Sequence, residues 1–135
     1  MKYLLDTNIV SYFLRDAFPG LSEHILDSTP DTLAISVISA GELRYGLSKL
    51  PSSKRATELV NRLDALLAAI PVLPLPVDAA QHYGNIRAKL EVAGTPIGGN
   101  DLWIAAHALT QNLTLVTNNT RGFERVPGLK VENWI

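Results

Sequence analysis

A chain of 135 residues fits one domain, and its 47% apolar and 19% charged residues permit a packed core and argue against disorder. The absence of cysteine excludes disulfides, thiolate metal sites and cysteine nucleophiles. A formal net charge of −1 lacks the strongly basic balance usual in nucleic-acid binding and counts mildly against such a role, which could still rest on local clusters acting within a Debye length of roughly 8–10 Å.

Lys2–Leu5 is a short apolar run ending in Asp6-Thr7-Asn8, the pattern of a buried strand followed by a helix cap. Ile9, Val10, Phe13 and Leu14 then recur at helical spacing. Pro19-Gly20 breaks the chain, Leu21–Leu26 suggests a second short helix, and Leu33–Ser36 a second strand. The pattern from Val37 through Leu43 and Leu47 is helical and stops before Pro51. A long helix starts at Ser52 or Ser53, with Leu59, Leu63, Leu66, Leu67 and Ile70 as its apolar stripe. Val72–Leu75 lies among prolines and reads as a strand near a sheet edge, because proline cannot donate to a ladder. Helices follow over Asp78–Val92 and, after a glycine loop, over Asn100–Gln111. Thr114–Thr117 and Leu129–Val131 are the last strands. Alternating strands and helices predict an α/β domain with a mainly parallel sheet, whose strand order periodicity cannot supply. Asp6 interrupts any signal-peptide apolar region, and no apolar run approaches the about 20 residues that span a bilayer. A cytoplasmic protein is therefore expected.

Open parallel sheets collect functional groups beyond the carboxyl ends of their strands. Asp6 follows the first strand, and Thr117, Asn118 and Asn119 close the Thr114 strand. Glu42 lies on the helix leaving the second strand, and Asp101 opens the helix after the glycine loop. Each carboxylate also has a purely structural reading. Asp6 suits a helix cap, Glu42 would close a capping box if Ser39 were the cap, and Asp101 would favour its helix dipole behind an Asn100 cap. Gathered in one place, however, the three would repel, and a hard divalent ion with oxygen ligands is the natural relief. Carboxylate clusters holding such ions commonly hydrolyse phosphodiesters.

Four blocks carry a resemblance that these readings alone do not. They are Leu4-Leu5-Asp6-Thr7-Asn8, Ile38-Ser39-Ala40-Gly41-Glu42-Leu43-Arg44-Tyr45-Gly46, the run from Ile97 to Ala108 that contains Gly98-Gly99-Asn100-Asp101, and the tail from Leu115 to Leu129. In order and spacing they resemble the PIN-domain ribonucleases, the tail being similar to bacterial VapC toxins. The resemblance implies a single PIN domain over residues 1–135, built as a three-layer α/β/α sandwich around a five-stranded, mainly parallel sheet. It also implies a Mg²⁺- or Mn²⁺-dependent endoribonuclease that acts on RNA, often tRNA, and inhibits translation. Such toxins commonly dimerise and assemble with a VapB-like antitoxin. Carried over by position, Asp6, Glu42 and Asp101 are implied to ligate metal and activate water, Glu42 in part through water. Where many PIN domains have a fourth acid this chain has Asn119, which implies a weak or water-mediated contact. Thr117, Asn118 and Arg121 are expected to position substrate.

His107, Trp103 and Tyr45 are expected to be structural, and Arg87 is left open between site and surface. Arg44, Lys49, Lys54, Arg55 and Arg62, and later Arg121, Arg125 and Lys130, are the basic clusters available to phosphate. A phospho-receiver domain would require paired early acids and a lysine after a late strand, whereas Thr7 and Asn8 follow Asp6 and Lys130 falls inside a strand. A haloacid-dehalogenase-like phosphatase would need a second acid at Asn8. An inert module that only binds an antitoxin is opposed by the intact Asp6, Glu42 and Asp101.

Overall fold

Two successive leucines set the layering. Neighbouring side chains of an extended strand leave opposite faces, so Leu4 enters one core and Leu5 the other. The computed structural model describes all of residues 1–135. Its strands are β1 (Tyr3–Leu5), β2 (Leu33–Ser36), β3 (Val72–Leu73), β4 (Thr114–Val116) and β5 (Val131–Glu132). Its helices are α1 (Thr7–Leu14), α2 (Pro19–Asp27), α3 (Val37–Ser48), α4 (Lys54–Ala69), α5 (Ala79–Val92), α6 (Gly99–Thr110) and α7 (Thr120–Phe123). All strand pairs are parallel and the order is β3-β2-β1-β4-β5. The expected three-layer α/β/α sandwich with a five-stranded parallel sheet is the observed one.

One face of the sheet is covered by α5, α6 and α7 through Ile86, Leu90, Leu102, Ile104 and Phe123 around Leu4 and Leu115. The other is covered by α1, α2 and α4, with Leu43 of α3, around Leu5, Ile35 and Val116. The apolar stripe of α4 does what its spacing predicts, burying Leu59 and Leu63, with Ser53 as the cap that accepts from Ala56 N at 3.0 Å. No helix is long and apolar enough to cross a membrane.

The departures from expectation have local causes. α2 begins at Pro19, whose fixed φ and missing N–H suit the first helical position. β3 stops at Leu73 because Pro74 has no donor for the ladder, and it is an edge strand as its prolines imply. β5 starts two residues late. Gly128 turns with φ +79 and Leu129 N donates back to Val126 O at 3.3 Å, so the register with β4 begins only where Val131 faces Leu115. α7 was not expected; Asn119 caps it by accepting from Gly122 N at 3.3 Å. A side chain at Gly122 would meet Asn119 Nδ2 at 2.7 Å, which is why glycine stands there.

The buried polar groups join the layers. His107 of α6 is fully buried, with Nδ1 2.8 Å from Ser36 Oγ and Nε2 2.9 Å from Gln111 Oε1. Ser36 in turn caps α3, accepting from Ile38 N at 3.2 Å. Burial pushes the imidazole pKa down, which favours the neutral ring that one donor and one acceptor require. His107 is thus structural, as expected. Ser36→Ala removes the cap and leaves an imidazole nitrogen without a partner; a loss of roughly 1–3 kcal/mol is expected, measured as a lower urea midpoint at unchanged slope.

Candidate active site

From β1 the chain works outward through β2 to β3, then crosses to β4 on the other side of β1. This reversal lies between β1 and β4, and in α/β sheets the crevice outside such a switch point gathers functional groups. Asp6 leaves β1 there and Thr117 leaves β4. Asp6 N donates to Val116 O at 2.9 Å, and Thr117 Oγ1 donates to Asp6 Oδ2 at 2.8 Å. Asp6 Oδ1 accepts from Thr7 N at 2.8 Å, so the residue caps α1 and faces the crevice at once.

Glu42 comes from α3. Because Ser36 and not Ser39 caps that helix, Glu42 is in its second turn and closes no capping box. Its Oε1 accepts from Thr7 Oγ1 at 2.6 Å and its Oε2 from Asn100 Nδ2 at 3.2 Å. Thr7 Oγ1 also stands 2.9 Å from Ser39 Oγ, a second residue of the same face of α3. Glu42 is therefore tied to the residue beside Asp6 and to the residue beside Asp101.

Asp101 sits in the first turn of α6. The expected Asn100 cap is not formed: the helix begins at Gly99, and the Asn100 side chain goes to Glu42 instead. Burial, then Asp6, then Glu42 raise the Asp101 pKa to about 6. Asp6, only 4% exposed, is also raised, by burial first, while its bonds from Thr117 and Thr7 oppose the shift and Glu42 adds to it. The three carboxylates expected from the sequence thus gather at one rim, where Asp6 and Glu42 act on Asp101 and Glu42 acts on Asp6. As placed here, no three Asp, Glu or His side chains stand together closely enough to hold a metal ion between them, so an ion at this rim would take part of its shell from water. The donors offered are all oxygens, the set that suits a hard dication retaining several of its waters.

The remaining expected residues divide. Thr117 is fully buried, so it cannot touch substrate; it orients Asp6 and accepts from Asn119 N at 3.0 Å. Asn118 and Arg121 are exposed at the same rim, Asn118 Oδ1 accepting from Asn133 Nδ2 at 3.4 Å. Asn119 is exposed with its Oδ1 turned to its own helix. Tyr45 is 67% exposed and not the packing residue expected, because α3 presents that side to solvent. Trp103 does pack, stacked on Tyr83 at 4.0 Å. Arg87 is held at the surface by Glu91 and the Tyr83 hydroxyl, at 2.9 and 3.0 Å. Of the first basic cluster, Arg44 pairs with Asp64, Arg55 with Glu58, and Arg62 donates to Leu14 O.

Two residues that orient the site escaped the reading of the sequence. Thr7 and Asn100 lie inside the recognised blocks, each beside an acid, but only folding reveals that both donate to Glu42.

Residues 3–129 match the PIN domain family. Ribonuclease VapC2 of Rickettsia felis is 40% identical over 99% of this chain and 98% of its own length. The tRNA(fMet)-specific endonuclease VapC of Salmonella typhimurium is 37% identical, with the same coverage. The chain is a PIN-domain protein of the VapC family. Among solved structures it superimposes on VapBC2 from Rickettsia felis, bound to a DNA fragment from the promoter, with TM-score 0.86 and 37% identity over the whole of both chains. Against DNA-bound VapBC from Salmonella typhimurium the TM-score is 0.89 at 36% identity, covering 100% of this chain and 99% of the other. The stretch of this VapC-family chain that matches the PIN domain includes Asp6, Glu42 and Asp101.

The charge crowding predicts a pH signature of the metal-free protein. A carboxyl whose folded pKa is about 6, above its ordinary 3.8, destabilises the fold at neutral pH and ceases to do so as pH falls from above 6 to below 4. His107 works the other way, losing stability below its ordinary 6.5 because its pKa is lowered. Comparing wild type with Asp101→Asn isolates the carboxyl. The variant is expected to be more stable at pH 7 by roughly 1–2 kcal/mol after allowance for solvent screening, and the gap to close by pH 4 in chelator-treated samples followed by thermal melting.

Proposed function

We propose that this VapC-family ribonuclease is a divalent-cation-dependent endoribonuclease, the toxin of a toxin–antitoxin pair, cleaving RNA of the tRNA class and thereby stopping translation. The observation that carries the reading is geometric. Glu42 is bonded to Thr7, the neighbour of Asp6, and to Asn100, the neighbour of Asp101, so the three acids meet at one rim. There burial and then the charges of Asp6 and Glu42 push the Asp101 pKa up to about 6. Asp6 and Glu42 disfavour the charge of Asp101, and a dication held at the same rim would remove that penalty. Asp6 and Asp101 are the proposed direct ligands of Mg²⁺ or Mn²⁺, with Glu42 contributing through water. A bound ion of this kind polarises a phosphoryl oxygen and makes water available as a nucleophile at neutral pH.

The chain's own residues set the rest of the chemistry. Thr117 and the Thr7 amide fix both oxygens of Asp6. Thr7 and Asn100 hold Glu42 by one donor on each oxygen, orienting it to take a proton from the attacking water. Asn119, occupied with its own helix, contributes at most through water, which favours one tightly held ion. Arg121, exposed on α7 at the rim, and Asn118 are the proposed phosphate and substrate contacts. Support for the RNA class comes from the relative described as a tRNA(fMet)-specific endonuclease, and support for a VapB-like antitoxin from the VapBC complexes that the chain resembles. A toxin homodimer carried within a toxin–antitoxin hetero-oligomer in the cytoplasm completes the proposal.

Asp6→Asn and Asp101→Asn are expected to lower RNA cleavage below detection while the circular dichroism spectrum is unchanged, since asparagine still caps α1 and is tolerated in the first turn of α6. Cleavage at the wild-type rate by either would remove that residue from the mechanism. EDTA is expected to stop the wild-type reaction and added Mn²⁺ or Mg²⁺ to restore it; turnover in chelator would refute the cation requirement. Thr7→Val removes the shorter of the two bonds to Glu42, and a drop in kcat of roughly 10–100-fold is expected from loss of such an orienting partner. Mapping new RNA 5′ ends after brief expression, with Asp6→Ala as control, identifies the target.

A further inference from the structure

A groove of about 630 Å³ leads from Thr7, Glu42 and Asn100 along α3 to Tyr45 and Lys49. Glu42 and Tyr45 are three residues apart, and Tyr45 and Lys49 four, so the three are neighbours on one helical surface. The Tyr45 ring is 67% exposed, with Lys49 Nζ 5.0 Å from its centroid. Lys49 makes no ion pair within the chain, unlike Arg44 and Arg55 of the same cluster.

Gly41 and Gly46 line the same groove. Glycine weakens a helix interior relative to alanine, and a Cβ at either position would meet nothing within 4 Å. Packing inside this chain therefore does not call for them. A bare helix backbone beside an exposed aromatic ring leaves room for a ligand to approach closely.

We propose that Tyr45, Lys49 and the open backbone at Gly41 and Gly46 form a subsite for one unpaired nucleotide of the RNA substrate, adjoining the phosphodiester that is cut. The base displaces the Lys49 ammonium from over the Tyr45 ring and stacks there, the freed ammonium meets its phosphate, and the glycines admit the ribose–phosphate chain against α3. Stacking requires a base free of its own helix, so the subsite selects single-stranded loops over duplex. This assignment rests on the nuclease reading above and adds to it the residues that choose where on the RNA the carboxylates act.

The test uses a fluorophore-labelled RNA stem–loop, with a blunt duplex of the same stem as control, binding to full-length Asp6→Asn protein so that nothing is cut. Tyr45→Ala is expected to weaken stem–loop binding roughly tenfold, within the range for loss of one base–aromatic stack, and to leave duplex binding unchanged. Tyr45→Trp should restore the affinity. Lys49→Ala should lower the salt slope of binding by roughly 0.7, one single-strand phosphate contact. Gly46→Ala should melt no lower than its parent yet bind the stem–loop more weakly, an outcome that loss of folding cannot produce. In the cleaving protein Tyr45→Ala should raise KM with little change in kcat. Stem–loop affinity unaltered by Tyr45→Ala, in a protein whose wild type still cleaves RNA, overturns the subsite alone. A fall in molecular mass by light scattering on Tyr45→Ala overturns it in favour of a contact between two copies of the chain. Failure of the wild type to bind or cleave any RNA would remove the nuclease reading, and the subsite with it.

Discussion

Acidic side chains do not gather in a folded protein unless something stronger holds them, and here the holding is done by backbone pairing. β1 lies between β2 and β4 in parallel register, so the residues that leave the carboxyl ends of β1 and β4 must emerge side by side. Asp6 and Thr117 meet for that reason, and their 2.8 Å bond crosses the point where the sheet order reverses. The repulsion among Asp6, Glu42 and Asp101 is a cost carried by the two cores on either face of the sheet. Each core has 14 buried residues, enough to hold the elements in place against it.

The site economises on residues by giving them two duties. Asp6 starts α1 and faces the crevice. Ser36 starts α3 and binds the buried imidazole of His107, so the helix that carries Glu42 is locked to the helix that carries Asp101. Thr7 and Asn100 stand next to the two aspartates in the chain and both donate to the glutamate. A displacement of any one element would therefore be felt by all three acids. Such coupling is what holding several groups in one fixed arrangement requires.

Basic residues illustrate how a near-neutral protein can still address an anionic polymer. Several of the arginines that a linear reading gathers into one cluster are bound up with acids or carbonyls of the same chain. Lys49, Lys54, Arg121, Arg125 and Lys130 make no ion pair within the chain, and Lys49 lines the same groove as Glu42. Unpaired positive charge of this local kind needs no global basic surface.

Much of this was readable in the residues themselves, because local chemistry dictates it. The apolar run before Asp6, the stripe of α4, the prolines around β3 and the blocks holding Asp6, Glu42 and Asp101 announce themselves through periodicity, caps and a family resemblance. Other features depend on which elements become neighbours. Strand order, the burial of Thr117, the exposure of Tyr45 and the engagement of Asn100 with Glu42 across 58 positions of chain have no local signature. Sequence determines which groups are carried at the ends of strands and helices, since that follows from side-chain spacing a few residues at a time. Only the tertiary structure decides which of those ends face one another, because that choice is made by long-range packing on the two faces of a single sheet.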